Sequence, residues 1–283
     1  MRSLIIFSLF ILVFSCNRSS DSSSSSTPSN VATVTPYLWS QYSSAKSLRI
    51  SEDFSDDEVT NITDMANAWK TAVEDQKTFF TIGARTTEIS NTEQTDDLYD
   101  SIFGVYKTVV WPSSLPGSAL AVTQIYGMRQ NAGQSNEFVD IQHADIIVNY
   151  DIHSFDTVDD GPNYDLRTVI LHEMGHFIGL QHKSSTSSRS SSVMYPSISS
   201  SENKRTPTSV DSADVSEKYN ISLSGGVSEA LMAKERRSIY HANGNQKGEM
   251  VKIIVELHAN GECVHKVNGI KTGSHTLSLK NQR

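Results

Sequence analysis

Residues 172–182 read His-Glu-Met-Gly-His-Phe-Ile-Gly-Leu-Gln-His, and no other stretch restricts the backbone so tightly. His172 and His176 are four apart, so on a helix they share one face and can point at one metal ion. Glu173 follows the first histidine and sits beside the open coordination position, where an attacking water needs a base. Gly179 lies three residues past His176. A glycine there can take a left-handed conformation, end the helix and swing the chain back. That turn brings His182 to the same metal as a third ligand. A solvated amphipathic helix could hold two histidines by chance. It leaves the glycine and the third histidine at fixed offsets unexplained.

The string resembles the metzincin clan of zinc endopeptidases, whose pattern is His-Glu-x-x-His-x-x-Gly-x-x-His followed by a methionine turn. Ser192-Val193-Met194-Tyr195-Pro196 supplies such a turn, with Met194 twelve residues after His182. The resemblance implies that Met194 lies beneath the imidazoles as an apolar floor, a place an ordinary core methionine also fits. Within the clan the chain looks most like a matrixin: Gly175 sits between Glu173 and His176, and Met-Tyr-Pro matches the matrixin turn. Astacin-like and serralysin-like enzymes carry a tyrosine ligand two residues after the methionine. Pro196 stands there, so Tyr195 is not expected to bind zinc, and the proline stretch is expected to line a pocket wall. Lys183 departs from the small or acidic residue usual after the third histidine. The likeness is specific over about 165–196 and diffuse elsewhere.

The N-terminus bears on compartment. Met1-Arg2 precedes an apolar run from Leu4 to Phe14 that ends at Ser15-Cys16. The run is too short to span a bilayer and fits a secretory signal peptide. Val13-Phe14-Ser15-Cys16 resembles a bacterial lipobox, in which Cys16 is lipidated and becomes the mature N-terminus; simple cleavage near Ser15 and free secretion is the alternative. Residues 19–29 hold eight serines, a composition that buries nothing and serves as a flexible tether. With Cys16 lipidated, Cys263 is the only thiol left and no intramolecular disulfide forms. A formal net charge of −8 argues against a nucleic-acid partner. The expected location is therefore outside the cytoplasm, on a bacterial outer membrane or cell surface, or secreted.

Periodicity orders the middle of the chain. Ser55 and Glu58 form a capping-box pattern, and Val59, Ile62, Met65, Ala66, Trp69 and Val73 recur at helical spacing, giving a helix over 56–75. Strands are expected at Leu48–Ile50, Thr78–Ile82, Phe103–Trp111, Ala119–Tyr126 and within Phe138–Tyr150. The motif helix starts near Asn163 or Asp165, and a closing helix falls within Thr206–Tyr219. The expected fold is α/β, of the α+β metzincin kind: a mixed sheet of about five strands with a long N-terminal helix, an active-site helix and a closing helix. By resemblance, an antiparallel edge strand binds peptide by strand addition, and Ala119–Tyr126 is the candidate. The domain reading is signal peptide 1–15, anchor and serine-rich linker 16–34, catalytic domain 35–222 and a small extension 223–283. The extension reads as a helix over Val227–Ile239 and a β-hairpin from Val251–Leu257 and Cys263–Val267.

The functional expectation is a zinc-dependent, monomeric endopeptidase acting on extracellular protein or peptide substrates. Zn²⁺ sits on His172, His176 and His182, and Glu173 is the general base. Gly179, Met194, Tyr195 and Pro196 shape the site. The acidic stretch 151–160 leaves room for Ca²⁺, and the resemblance raises a structural zinc near His143 and His153; a solvated acidic loop serves equally. No cysteine lies between 17 and 171 to mask the zinc. Asp21 could do so from a short pro-segment, and Cys263 with His265 and His258 could cap the zinc from the C-terminal side; a buried strand cysteine is the simpler reading. The alternative from another class is a cell-surface adhesion or binding protein that keeps the zinc site as structure.

Overall fold

The computed structural model describes residues 35–40, 44–86, 95–182, 190–196, 198–200, 202–224, 248–259 and 262–276. The chain divides into two units, Met1–Val31 and Ala32–Arg283, and every described residue belongs to the second. Cys16, Asp21, Lys183, the serine-rich tether and the expected helix over Val227–Ile239 lie outside the described residues, as does the Cys263 side chain. No helix among the described residues is long and apolar enough to cross a membrane.

In chain order the elements are β1 (Tyr37–Leu38), β2 (Lys46–Ile50), α1 (Asp56–Ala72), β3 (Phe80–Ile82), a 3₁₀ turn at Thr95–Leu98, β4 (Phe103–Thr108), β5 (Ala119–Gln130) and β6 (Phe138–Asn149). Then come β7 (Phe155–Asp156), β8 (Tyr164–Asp165), α2 (Leu166–Phe177), α3 (Ser209–Tyr219), β9 (Glu249–His258), β10 (Glu262–Val267) and β11 (Ile270–Thr276). The main sheet runs β11-β10-β9-β5-β6-β4-β2-β3, with β1 beside β6 and nine strands among the described residues. β3, β2, β4 and β6 are mutually parallel; β5 is antiparallel to β6. The five expected strands are all present as this β3-to-β5 block.

Local chemistry accounts for the element ends. Ser55 and Glu58 close the capping box of α1 in both directions. The Glu58 carboxylate also takes both 3.0 Å bonds of Lys107 and the Tyr150 hydroxyl at 2.7 Å, which ties the start of α1 to the sheet. Thr208 and Asp211 form a second capping box on α3. Ile62, Trp69, Val169, Ile170, Met174 and Phe177 from α1 and α2 are fully buried in one large core cluster with Ile125, Ile146 and Val148 of the sheet. A smaller cluster around Tyr106, Trp111, Val122 and Ile147 covers the opposite face. Apolar residues on both faces of β5 and β6 follow from that double cover.

Two findings differ from expectation. Ala119–Tyr126 is part of an antiparallel strand but not of an edge strand. β9 pairs with it along its length, from Ala119↔His258 to Arg129↔Glu249. In the extension after 223, the expected strands Val251–Leu257 and Cys263–Val267 are both present and dock on the catalytic sheet. Its hairpin, with the unanticipated β11, continues the main sheet. The physical reason is that Val251, Ile253, Val255 and Leu257 alternate along β9 and are all buried in the principal core. That apolar face has to be covered, and the sheet beside β5 covers it.

Candidate metal centre

α2 starts at Asp165, whose side chain accepts from the Thr168 backbone N–H at 2.8 Å and from the Arg205 guanidinium. The helix stops where the glycine was expected to stop it. Gly179 has φ +89°, its N–H donates to His176 O at 2.8 Å, and Leu180 N–H donates to Gly175 O at 2.8 Å. This pair of bonds is a Schellman cap, which a left-handed residue closes. A Cβ at Gly179 would also stand 2.6 Å from Tyr37 O. Carbonyls at the helix end find donors on aromatic side chains: Trp39 Nε1 on Phe177 O (2.9 Å), Tyr219 Oη on Ile178 O (2.7 Å) and Tyr37 Oη on Leu180 O (3.0 Å). The last turn is thereby held rigid beneath its histidines.

The Nε2 atoms of His172, His176 and His182 converge, with separations of 3.0, 3.0 and 2.9 Å. What each ring does with its other nitrogen decides what they can hold. His172 Nδ1 lies 2.7 Å from Val193 O, and His176 Nδ1 lies 2.8 Å from Leu180 O. A carbonyl only accepts, so both Nδ1 atoms carry the hydrogen and both Nε2 atoms present lone pairs. His182 Nδ1 is 2.8 Å from His265 Nε2 on β10. Burial pushes His172 down to about 4 and holds His176 well below the ordinary histidine range, so both rings are neutral at physiological pH. Lone pairs of neutral imidazoles aimed at one point repel unless a cation lies between them. This donor set suits Zn²⁺. Among the described residues it is the one group of three histidine, cysteine or acidic side chains able to converge on a metal.

Glu173 is wholly buried on the same helix. Its Oε2 accepts from Thr123 Oγ1 of β5 at 2.5 Å, while Oε1 has no hydrogen-bond partner among the described residues. An unsatisfied buried carboxylate oxygen is costly and needs something beside it to receive or to share. Burial raises the carboxyl to about 8, against the opposing pull of the Thr123 hydrogen bond.

Met194 is fully buried beneath the helix. Gly175 is the residue that admits it: a Cβ there would come 2.2 Å from Met194 Sδ and 3.0 Å from Trp69. The turn around Met194 is pinned by Asp211 of α3, which accepts from Ser192 Oγ and from Val193 N–H (3.1 Å). Val193 O in turn receives His172. Tyr195 is half-buried with the Lys204 ammonium 4.8 Å over its ring, and no contact brings it to the histidines. Pro196 is buried.

The other histidines go elsewhere. His143 lies in the sheet 2.6 Å from Asp145 Oδ2, and His153 bonds Gly117 O at 3.1 Å, so the two share no site. His258 binds Ser118 and Glu256 on strand ends. Sequence reading missed Tyr37, Thr123 and Asp211 as supports of the centre. Their partners lie 139, 50 and 18 positions away, and spacing carries no sign of such contacts.

The family model described as Matrixin matches residues 62–220. That is more than half of the 283 residues, and the chain belongs to the matrixin family of zinc peptidases. The match runs from within α1 to just past α3 and ends before β9. No curated protein matches the chain.

Proposed function

We propose that the chain is an exported zinc endopeptidase in which Glu173 is the general base. The observation that carries the reading is the pairing of three converging imidazoles with a buried carboxylate on the next residue, one oxygen of which is uncommitted. Bound at His172, His176 and His182, Zn²⁺ supplies Lewis acidity to a substrate carbonyl and to water. The protein's own residues do the rest. Glu173 Oε1 receives the proton of the attacking water and later delivers it to the leaving amine. Thr123 fixes the carboxylate by holding Oε2, so Oε1 alone turns toward the reacting atoms. The buried setting lowers the dielectric around that proton transfer. A zinc-loaded Glu173→Ala protein should keep its metal and lose casein cleavage by several orders of magnitude. Full cleavage by pure variant would refute the assignment.

The location belongs to the same proposal. It rests on the apolar run 4–14, the lipobox-like Val13–Cys16 and the serine tether. Cys16→Ser should move the protein from the membrane fraction to the soluble one. Calcium is not part of the reading: Asp156 is engaged by Asn163, and Asp159 by Arg167 and Arg205. The adhesion-protein alternative gives no use for Glu173, whose burial beside a purely structural zinc is cost without return. Metal content together with a casein digest separates the two.

A further inference from the structure

Glu173, His172 and His176 are 0 % exposed, and His182 alone of the centre is partly exposed. β9 lies along β5 and β10 reaches the centre through His265, whose Nε2 is 2.8 Å from His182 Nδ1; both strands lie outside the matched residues 62–220. We infer that the C-terminal hairpin β9–β10 is an autoinhibitory insert that fills the enzyme's own substrate groove by strand addition to β5. The inference rests on the peptidase reading above and concerns regulation of that same site.

The register supports it. Thr123 of β5 stands opposite Val255 of β9, and Val255 stands opposite His265 of β10. Residues directly opposed on adjacent antiparallel strands project from the same face of a sheet. One end of this row, Thr123, bonds Glu173; the other end, His265, bonds His182. Val255, itself 0 % exposed, is therefore set between the base and the third ligand, where a scissile peptide has to pass. An extended peptide reaching Glu173 has one backbone partner at hand, the side of β5 turned away from β6. β9 takes that side in ten register pairs. His265 adds a contact to the centre without entering it: it reaches the outer nitrogen of His182, whose Nε2 faces the other two imidazoles. The hairpin thus occupies the path of substrate and leaves the metal ligands intact.

The test uses full-length, zinc-loaded protein with zinc content measured throughout. Ile253→Pro places a proline in the middle of β9, opposite Ile125 and Val267, and removes a ladder donor. A fluorescent tripeptide hydroxamate serves as probe, since its apparent affinity scales with the fraction of molecules whose groove is open. The variant should bind it at least about tenfold more tightly than wild type and cleave casein faster by a similar factor. Equal binding by the two proteins overturns the autoinhibition. Tighter hydroxamate binding with intact casein upholds it and overturns the peptidase reading instead. A second protein guards against misfolding: Met128→Cys with Met250→Cys staples an existing β5–β9 register pair. Its oxidised form should bind the hydroxamate at least about tenfold more weakly than its reduced form. Equal binding in both redox states overturns the proposal.

Discussion

At the scale of single residues, the centre is built by acceptors that decide tautomers. Val193 O and Leu180 O each take an Nδ1 hydrogen, and this frees Nε2 on His172 and His176 for the metal. Thr123 does the matching task for the Glu173 carboxylate. Thr123→Val keeps the packing shape and deletes the bond to Glu173, so kcat should fall by about tenfold, the value of roughly 1.4 kcal/mol of lost positioning, with zinc content unchanged. Steady-state kinetics on metal-loaded protein check this. Gly175→Ala pushes a methyl into Met194 Sδ and should cost about 1–3 kcal/mol of stability, read from a urea midpoint. The sequence disclosed the glycine as a family mark; the structure adds the steric reason, which is the sulfur lying against it.

At the scale of elements, α3 acts on the zinc site without touching it. Asp211 caps its own helix through Thr208 and holds the backbone and side chain of the methionine turn, so one carboxylate ties helix start, turn and His172 together. Asp211→Ala should weaken zinc binding by about 10–100-fold, measured by competition with a chelator. The elements up to Tyr219 were legible because their signals are local. A capping box marks α1, a glycine stop ends α2, and β-branched runs bounded by turns mark the strands. The destination of Val251–Leu257 was not legible. Its period-2 pattern shows a strand with one buried face, and nothing in it says which strand it pairs with. That choice is made by an open edge more than a hundred residues upstream, and edges are a property of the assembled sheet. The same limit hid the supporting roles of Tyr37 and Thr123, which depend on packing across the core.

At the scale of the whole molecule, three buried groups of the centre each tilt how stability follows pH in zinc-free protein. His172 and His176 have folded pKa values below the ordinary 6.5, so the unfolded chain binds protons there that the folded one refuses; stability is lost as pH falls from 6.5 toward 4. Glu173 is shifted the other way. Folded protein keeps its proton up to about 8 and the unfolded chain releases it above about 4.5, so stability is lost as pH rises through that window. Above 6.5 His143 adds to this loss: burial lowers it, but its hydrogen bond to Asp145 and the neighbouring negative charges raise it above the ordinary range. The melting temperature should fall by on the order of 5 °C as pH rises from 6.5 to 8. Differential scanning calorimetry of the apo protein checks the fall, and Glu173→Gln should make it shallower.

The pairing of β5 with β9 also sets an order in time. A chain is synthesised from its N-terminus, so residues 119–130 and all three zinc-binding histidines emerge long before residues 249–258. Until β9 arrives, the core that Val251, Ile253, Val255 and Leu257 complete stays open beside β5. Each molecule is therefore born unguarded and acquires its guard last. A chain cut short between Tyr219 and Glu249 would carry the converging histidines without the strands that guard them, and full-length synthesis is itself a safety step.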